Sequence, residues 1–367
     1  MKILGIIVEY NPFHNGHTHH LNEAKKITNA DFVVAIMSGN VVQRGEFAII
    51  DKYRRTKVAL EQGVDLLIEL PAIYSLQSAK EFSAGAIKLL NYAGITDLVF
   101  GSETNNLTYL RQLAELEINL DNLKEIMKSG ISYPKALGQL TDSLYPNDIL
   151  AVSYLRELKK YPHIKAHLIT RTNSYHGLDL VGSIVSASAI RNALYCSNSF
   201  ANTTVMEKEL LKYHNFNDYY FEIIKYSLIT QNINQLNKYL LVSEGIERHL
   251  IKQILNADNY QDFLNKAITK RYTKVKIQRT LINIILKIKK TDKYLLEKTK
   301  HLRILGFNQK ARQLLKIFKE NNISYSVKYK KIPKQQKELT MKITLLYQLF
   351  YQDKKLENYE VKFPIIK

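Results

Sequence analysis

Gly5-Ile6-Ile7-Val8-Glu9-Tyr10-Asn11-Pro12-Phe13-His14-Asn15-Gly16-His17 is the stretch whose reading decides the fold. Residues Ile3 to Val8 form an unbroken apolar run, the pattern of a strand buried on both faces of a parallel sheet. Pro12 disfavours helix at Asn11, so the strand gives way to a turn. Beyond the turn, Leu21, Ala24 and Ile27 recur at helical spacing, which places His14 to His17 in the first turn of a helix. Backbone N–H groups at a helix start lack intrahelical partners and form an anion site, and Gly16 is expected to let a phosphate approach the backbone. His14 and His17 share one face of that turn, where each neutral imidazole can donate one N–H to a phosphate oxygen; polar residues at a loop end are the plain alternative.

Working outward, the pattern repeats. Asp31 to Met37 reads as a second buried strand, followed by the loop from Ser38 to Glu46. Asp51 is placed to cap a helix through Gln62, and Asp65 to Glu69 forms a third strand ended by Pro71. A helix through Phe82 to Tyr92 leads to a strand at Asp97 to Phe100, and Lys165 to Thr170 reads as a fifth. Strands alternating with helices predict an α/β fold with a doubly wound parallel sheet, whose ligands lie beyond the carboxyl ends of the strands. Gly101-Ser102-Glu103 and Arg171 follow directly on two such ends; a strand-to-helix turn and a surface arginine are their bland readings. Leu107 to Asp142 reads as a helical insertion able to wall the cleft, and Pro146-Asn147-Asp148 opens a further helix with Asn147 or Asp148 as cap.

A chain of 367 residues that is 46% hydrophobic can bury a full core. Cys196 is the only cysteine, so no internal disulfide is available, and no cysteine-based metal site is legible. No apolar run reaches the ~18 residues of a membrane span, and a cytoplasmic protein without a membrane partner is expected. The net charge of +19 is unevenly placed: residues 1–200 carry 20 Lys and Arg against 19 Asp and Glu, and residues 201–367 carry 33 against 15. A near-neutral half joined to a basic half reads as small-molecule chemistry delivered to a polyanion; lysine-rich compositional drift is the alternative. Beyond Phe200 the strand signals mostly stop. The boundaries predicted are a catalytic domain over 1–200, a helical basic domain over 201–300 and a small basic α/β element over 301–367. In the second, Lys270, Arg271, Tyr272, Lys274, Lys276 and Arg279 open a helix whose cations can grip an RNA backbone while Tyr272 stacks on a base; a solvated helix face is the competing account. Arg303, Lys310, Arg312 and the Lys328 to Lys331 cluster repeat the pattern.

The strand, turn and His-x-Gly-His at a helix start resemble the HIGH-type nucleotidyltransferase superfamily. Within it, the phrase from Glu9 to His17, with Met37-Ser38-Gly39-Asn40, resembles the bacterial tRNA(Met) cytidine acetate ligases. The resemblance implies an ATP-dependent ligase that activates acetate as acetyl-AMP and acetylates N4 of the wobble cytidine of elongator tRNA(Met). It implies ATP contacts from Ile7, Val8, Glu9, Tyr10, Asn11, Pro12, Phe13, His14, Asn15, Gly16, His17, Gly101, Asn147 and Arg171, with Mg²⁺ accompanying ATP. Ser186-Ala187-Ser188-Ala189-Ile190-Arg191 resembles the second superfamily signature, usually Ser-Ser-Thr-x-Ile-Arg, so the catalytic set implied is His14, His17, Ser188 and Arg191. Asp148 stands where the family usually has a second Asn, and a carboxylate beside phosphates would be unfavourable. Two rivals remain at this level: a cofactor-pathway adenylyltransferase acting on nicotinate mononucleotide or phosphopantetheine, and a non-catalytic RNA-binding protein on the same scaffold.

Overall fold

The computed structural model describes residues 1–116, 145–170, 184–196, 198–213, 215, 217–298, 300–351, 356–361 and 364–367. Arg171 and most of the expected 107–142 insertion lie outside them. The apolar runs become the parallel strands β1 (Ile3–Val8), β2 (Phe32–Ser38), β5 (Leu66–Leu70), β6 (Asp97–Ser102) and β7 (Lys165–Thr170), with a short hairpin, β3 (Val41–Val42) and β4 (Glu46–Phe47), between the second and third. Three C-terminal strands, β8 (Leu302–Phe307), β9 (Tyr325–Ser326) and β10 (Ile365–Ile366), complete the element set. The sheet runs β10-β8-β5-β2-β1-β6-β7, with β9 beside the other end of β8.

Side chains alternate across this sheet. Ile3, Val34, Ile36, Ile68 and Phe100 pack on one face, and Leu4, Ile6, Val33, Ala35, Leu67 and Val99 on the other. The helices that cover the first face include α3 (Ala79–Tyr92) and α5 (Pro146–Leu158); α1 (Asn15–Thr28), α2 (Lys52–Glu61) and α6 (Ala187–Tyr195) cover the second. Between them in sequence lies α4 (Leu107–Glu115). Two-sided burial explains why these strands carry no polar alternation.

A helical layer follows: α7 (Asn217–Ile229), α8 (Ile246–Leu255), α9 (Tyr260–Ala267) and α10 (Lys274–Ile285). Its buried Phe221, Ile224, Leu250, Phe263 and Ile282 are continuous with the core on the first sheet face. The continuity passes through Phe47, whose ring meets Tyr220 edge-on at 5.9 Å and Phe350 of α11 (Lys334–Tyr351) at 5.0 Å.

The segment 301–367, read from sequence as a small separate element, lies in the main sheet. β8 runs antiparallel to β5, pairing Leu66 with Phe307 and Leu67 with Gly306, and so covers what would be an open sheet edge. Arg303 on β8 was expected to belong with the RNA-facing cations. It is buried instead, donating to Glu69 of β5 and pairing with Glu360 of α12 (Leu356–Val361). Lys52 of α2 reaches the same two carboxylates at 2.8 and 3.0 Å. Balanced charge makes such a cluster tolerable without water, and the loss of one partner from a buried pair costs about 3–5 kcal/mol.

Candidate active site

β1 and β6 pair only at Leu4 with Asp97 and Gly5 with Leu98, so the two strands diverge toward their carboxyl ends. A cleft of about 310 Å³ opens there, bordered by Ile7 to Asn11 at the end of β1, Val99 to Gly101 on β6, His14 and His17 at the start of α1, Asn147 and Tyr154 on α5, and Ser186 to Ser188 with Arg191 at the start of α6. This is the switch point of a doubly wound sheet, between strands whose connections leave in opposite directions. Pro12, Phe13 and Asn15 do not border the cleft. Phe13 is fully buried behind it, and Asn15 ties α1 to the 200–204 segment through Asn202 and Thr203.

His14 is the N-cap of α1. Its Nδ1 accepts from the Gly16 N–H at 3.1 Å, and the Nδ1 of His17 accepts from the His14 N–H at 3.2 Å, a reciprocal capping box made by two imidazoles. The Asn15 N–H goes to the Thr203 carbonyl and the His17 N–H to His14 O. The expected open cradle of backbone donors is therefore absent from the first turn, because the protein itself occupies those donors. With Nδ1 accepting on both histidines, each ring proton sits on Nε2, leaving each ring an N–H donor rather than a base. The two rings pack with centroids 3.8 Å apart, and Tyr10, itself buried and at a left-handed φ of 49°, supports His17 edge-on at 4.9 Å. Gly16 borders the cleft, and a Cβ there would lie 2.9 Å from the His14 ring, so glycine also makes room for the imidazole.

The second signature starts α6, with Ser186 as N-cap accepting from the Ala189 N–H at 3.0 Å. Arg191, one turn in, donates from Nη1 to the Asn11 carbonyl at 2.7 Å and from Nη2 to Ser188 Oγ at 3.2 Å. The two signatures are thus joined by one guanidinium. Asn11 turns its side chain away from the cleft, accepting from the Ile49 N–H at 2.8 Å.

Asn147, at the cleft border, donates to Glu103 outside it. Neither Asn147 nor Asp148 caps α5; Tyr145 holds the N-cap position without a side-chain hydrogen bond, and Pro146 opens the first turn. Asp148 is fully buried and accepts from Ser102 Oγ, the Glu103 N–H and the Thr104 hydroxyl. It folds the loop after β6, and does not meet the cleft, which removes the objection to a carboxylate there.

One feature carried no sequence signal. Arg55 is fully buried and clamps four backbone carbonyls, those of Glu9, Ser38, Gly39 and Ile50. It fixes the chain where it leaves β1, at the cleft, to the chain leaving the neighbouring β2. The β3–β4 hairpin also brings Gln43 and Arg44 to the cleft. Gly45, at a φ of 76°, turns the hairpin directly against α10, where a Cβ would lie 2.3 Å from the Arg279 backbone nitrogen.

The basic residues near α10 divide accordingly. Lys270, Arg271 and Lys274 are exposed, with Arg271 and Lys276 flanking Glu244. Tyr272 is buried and donates its hydroxyl to the Glu244 carbonyl; its ring is part of the helical core rather than a stacking platform. Arg279 donates to the Gln43 carbonyl, and burial holds its guanidinium down to about 10. Among the described residues no group of three His, Cys, Asp or Glu could hold a metal ion, and no helix is long and apolar enough to cross a membrane.

The profile of the family described as HIGH Nucleotidyl Transferase matches residues 1–362. The tRNA(Met) cytidine acetate ligase of Oceanobacillus iheyensis is 37% identical over 351 residues, covering 88% of each chain. That of a Thermoanaerobacter strain is 35% identical across the whole of both chains. The crystal structure of Thermotoga maritima TmcAL bound with alpha-thio ATP superposes with a TM-score of 0.86 at 29% identity, covering 100% of this chain and 99% of that one.

Proposed function

The chain belongs to the tRNA(Met) cytidine acetate ligase family within the HIGH nucleotidyl transferases, and from that premise we propose how its cleft performs the reaction. Acetate attacks the α-phosphorus of ATP, pyrophosphate leaves, and acetyl-AMP acylates N4 of the wobble cytidine in elongator tRNA(Met). The amine is a weak nucleophile because its lone pair is delocalised into the ring, so the acid must be activated first. Carboxylates are ionised at neutral pH, and the first step needs positioning and charge stabilisation rather than a base.

The observation that carries this reading is the convergence of His14, His17, Ser188 and Arg191 on one cleft at the sheet switch point. His14 and His17 donate from Nε2 to the α-phosphate oxygens. Arg191, held in place by Asn11 and Ser188, neutralises the leaving pyrophosphate. Gly101 and Asn147 border the part of the cleft suited to ribose and adenine. With one carboxylate along the cleft border and no metal-holding cluster among the described residues, Mg²⁺ fits as part of the Mg·ATP substrate, bound chiefly to its phosphates. The part before residue 200 activates acetate, and the exposed cations Lys270, Arg271 and Lys274 hold the tRNA backbone. A single-stranded anticodon loop suits this arrangement, since its bases can be splayed into a pocket without breaking a duplex. We place the protein in the cytoplasm with its tRNA substrate.

ATP–pyrophosphate exchange is the test. Stimulation by acetate, followed by N4-acetylcytidine in tRNA(Met) on mass spectrometry, is the expected result. A stable dinucleotide-type product without acetate dependence would instead establish a cofactor-pathway adenylyltransferase.

A further inference from the structure

Glu9 is the only carboxylate among the described residues that line the cleft. It directly follows β1 and is half-buried. Its Oε1 accepts from Ser38 Oγ at 3.0 Å and from the Gln43 N–H at 2.7 Å, while its backbone carbonyl accepts from Arg55 at 2.6 Å. Main chain and one carboxylate oxygen are thereby fixed. Oε2 has no hydrogen-bond partner among the described residues and is not enclosed by them.

A carboxylate held this way does not assist the attack on phosphorus in the first half-reaction, where it would repel both acetate and triphosphate. The second half-reaction has a use for it. As N4 attacks the acetyl carbonyl, the new C–N bond leaves positive charge on nitrogen, and the amine must lose a proton. His14 and His17 cannot take it, because their Nδ1 atoms accept backbone N–H groups and their Nε2 atoms carry the protons.

We propose that Glu9 is a catalytic residue of the acyl-transfer step: Oε2 accepts an N4–H of the cytosine, orients the amine and receives its proton as the C–N bond forms. A carboxylate is the acceptor suited to a cytosine amino group. The tetrahedral intermediate then collapses with cleavage of the bond between the acyl carbon and the phosphate oxygen. AMP leaves with that electron pair, and Glu9 passes the proton to solvent. No electron transfer and no further reactant are involved. The inference rests on the acetate-ligase reading and adds to it the residue that serves the amine.

Glu9→Gln tests it, because an amide Oε1 still accepts from Ser38 and Gln43 and so preserves the local fold. Three rates are compared with the unaltered protein: acetate-dependent ATP–pyrophosphate exchange, trapping of acetyl-AMP by hydroxylamine as acetohydroxamate, and single-turnover acetyl transfer to tRNA(Met). Hydroxylamine is nucleophilic enough to need no base. The expected result is transfer to tRNA reduced about 10²–10⁴-fold relative to exchange and trapping, the range for loss of a positioned proton acceptor, with partial recovery in Glu9→Asp. An equal fall in all three rates overturns the proposal and assigns Glu9 to the ATP step. Unimpaired transfer also overturns it and moves the role to His19 or His20, the other imidazoles on the cleft border. Failure of the unaltered protein to show acetate-dependent exchange is a separate outcome that removes the ligase reading and this inference with it.

Discussion

The guanidinium of Arg191 donates to the backbone carbonyl of Asn11 at 2.7 Å, across 180 residues of sequence. This bond sets the distance between the Arg191 cation and the His14 and His17 imidazoles, the groups proposed to meet the leaving group and the α-phosphate, and the second Nη reaches Ser188 at 3.2 Å. A planar fork can hold two such partners and still present charge to phosphate; an ammonium cannot.

Arg191→Lys is accordingly expected to keep the fold and lower the maximal rate of ATP–pyrophosphate exchange by about 10²–10³-fold. Exchange kinetics alongside a thermal melt check it. An unchanged rate would show that charge alone, without the bridge to Asn11, suffices.

His14 caps α1 and is proposed to donate toward phosphate, and two substitutions separate these roles. His14→Asn retains a good N-cap, so thermal stability is expected to hold while exchange falls. His14→Ala loses both, with a destabilisation of about 0.5–2 kcal/mol added to the activity loss. His17→Ala is expected to lower acetyl-adenylate formation about 10²–10³-fold with ATP still bound, read by exchange and by equilibrium ATP binding.

Lys270→Glu combined with Lys274→Glu changes two exposed cations. We expect weaker tRNA binding, a salt dependence whose slope is shallower by about one unit for each phosphate no longer neutralised, and no effect on acetate-stimulated exchange. Arg279→Gln is the contrasting case. It removes the side chain that anchors the cleft hairpin at Gln43, and both half-reactions are expected to suffer.

The buried ion cluster predicts an acid limit. Burial pushes the Glu360 carboxyl up, but Lys52 and Arg303 outweigh it and hold it near 2, below its ordinary 4.5. The native state then binds fewer protons than the unfolded chain, so this stabilisation is complete above about pH 5 and is lost as pH falls toward 2. Burial likewise holds His301 down to about 4 from 6.5, which adds a loss beginning near pH 6.5. Urea midpoints across pH 3–7 should therefore fall with acidity. Glu360→Gln should lower the midpoint at pH 7 by the equivalent of about 3–5 kcal/mol and flatten the curve below pH 5.

By itself the sequence determined the parallel strands β1, β2, β5, β6 and β7, the cap at Asp51, the cleft at the end of β1 and the place of both signatures. Each of these is written locally: apolar runs of strand length, a cap carboxylate next to the helix it starts, a proline that ends a strand. Tertiary structure decided what charge and aromatic type cannot announce. Arg303 and Lys270 are cations in the same basic half, yet one is sealed beside Glu69, 234 residues away in sequence, and the other faces solvent. The Tyr272 ring is buried in the helical layer against His249 with Arg271 and Lys276 over it, and Asp148 stays out of the cleft because the loop after β6 supplies it with donors. Even the histidines, plain in the sequence, acquired their proton positions only from the reciprocal cap. A side chain's partner sets its role, and partners brought together by sheet closure leave no mark on the local pattern of either segment.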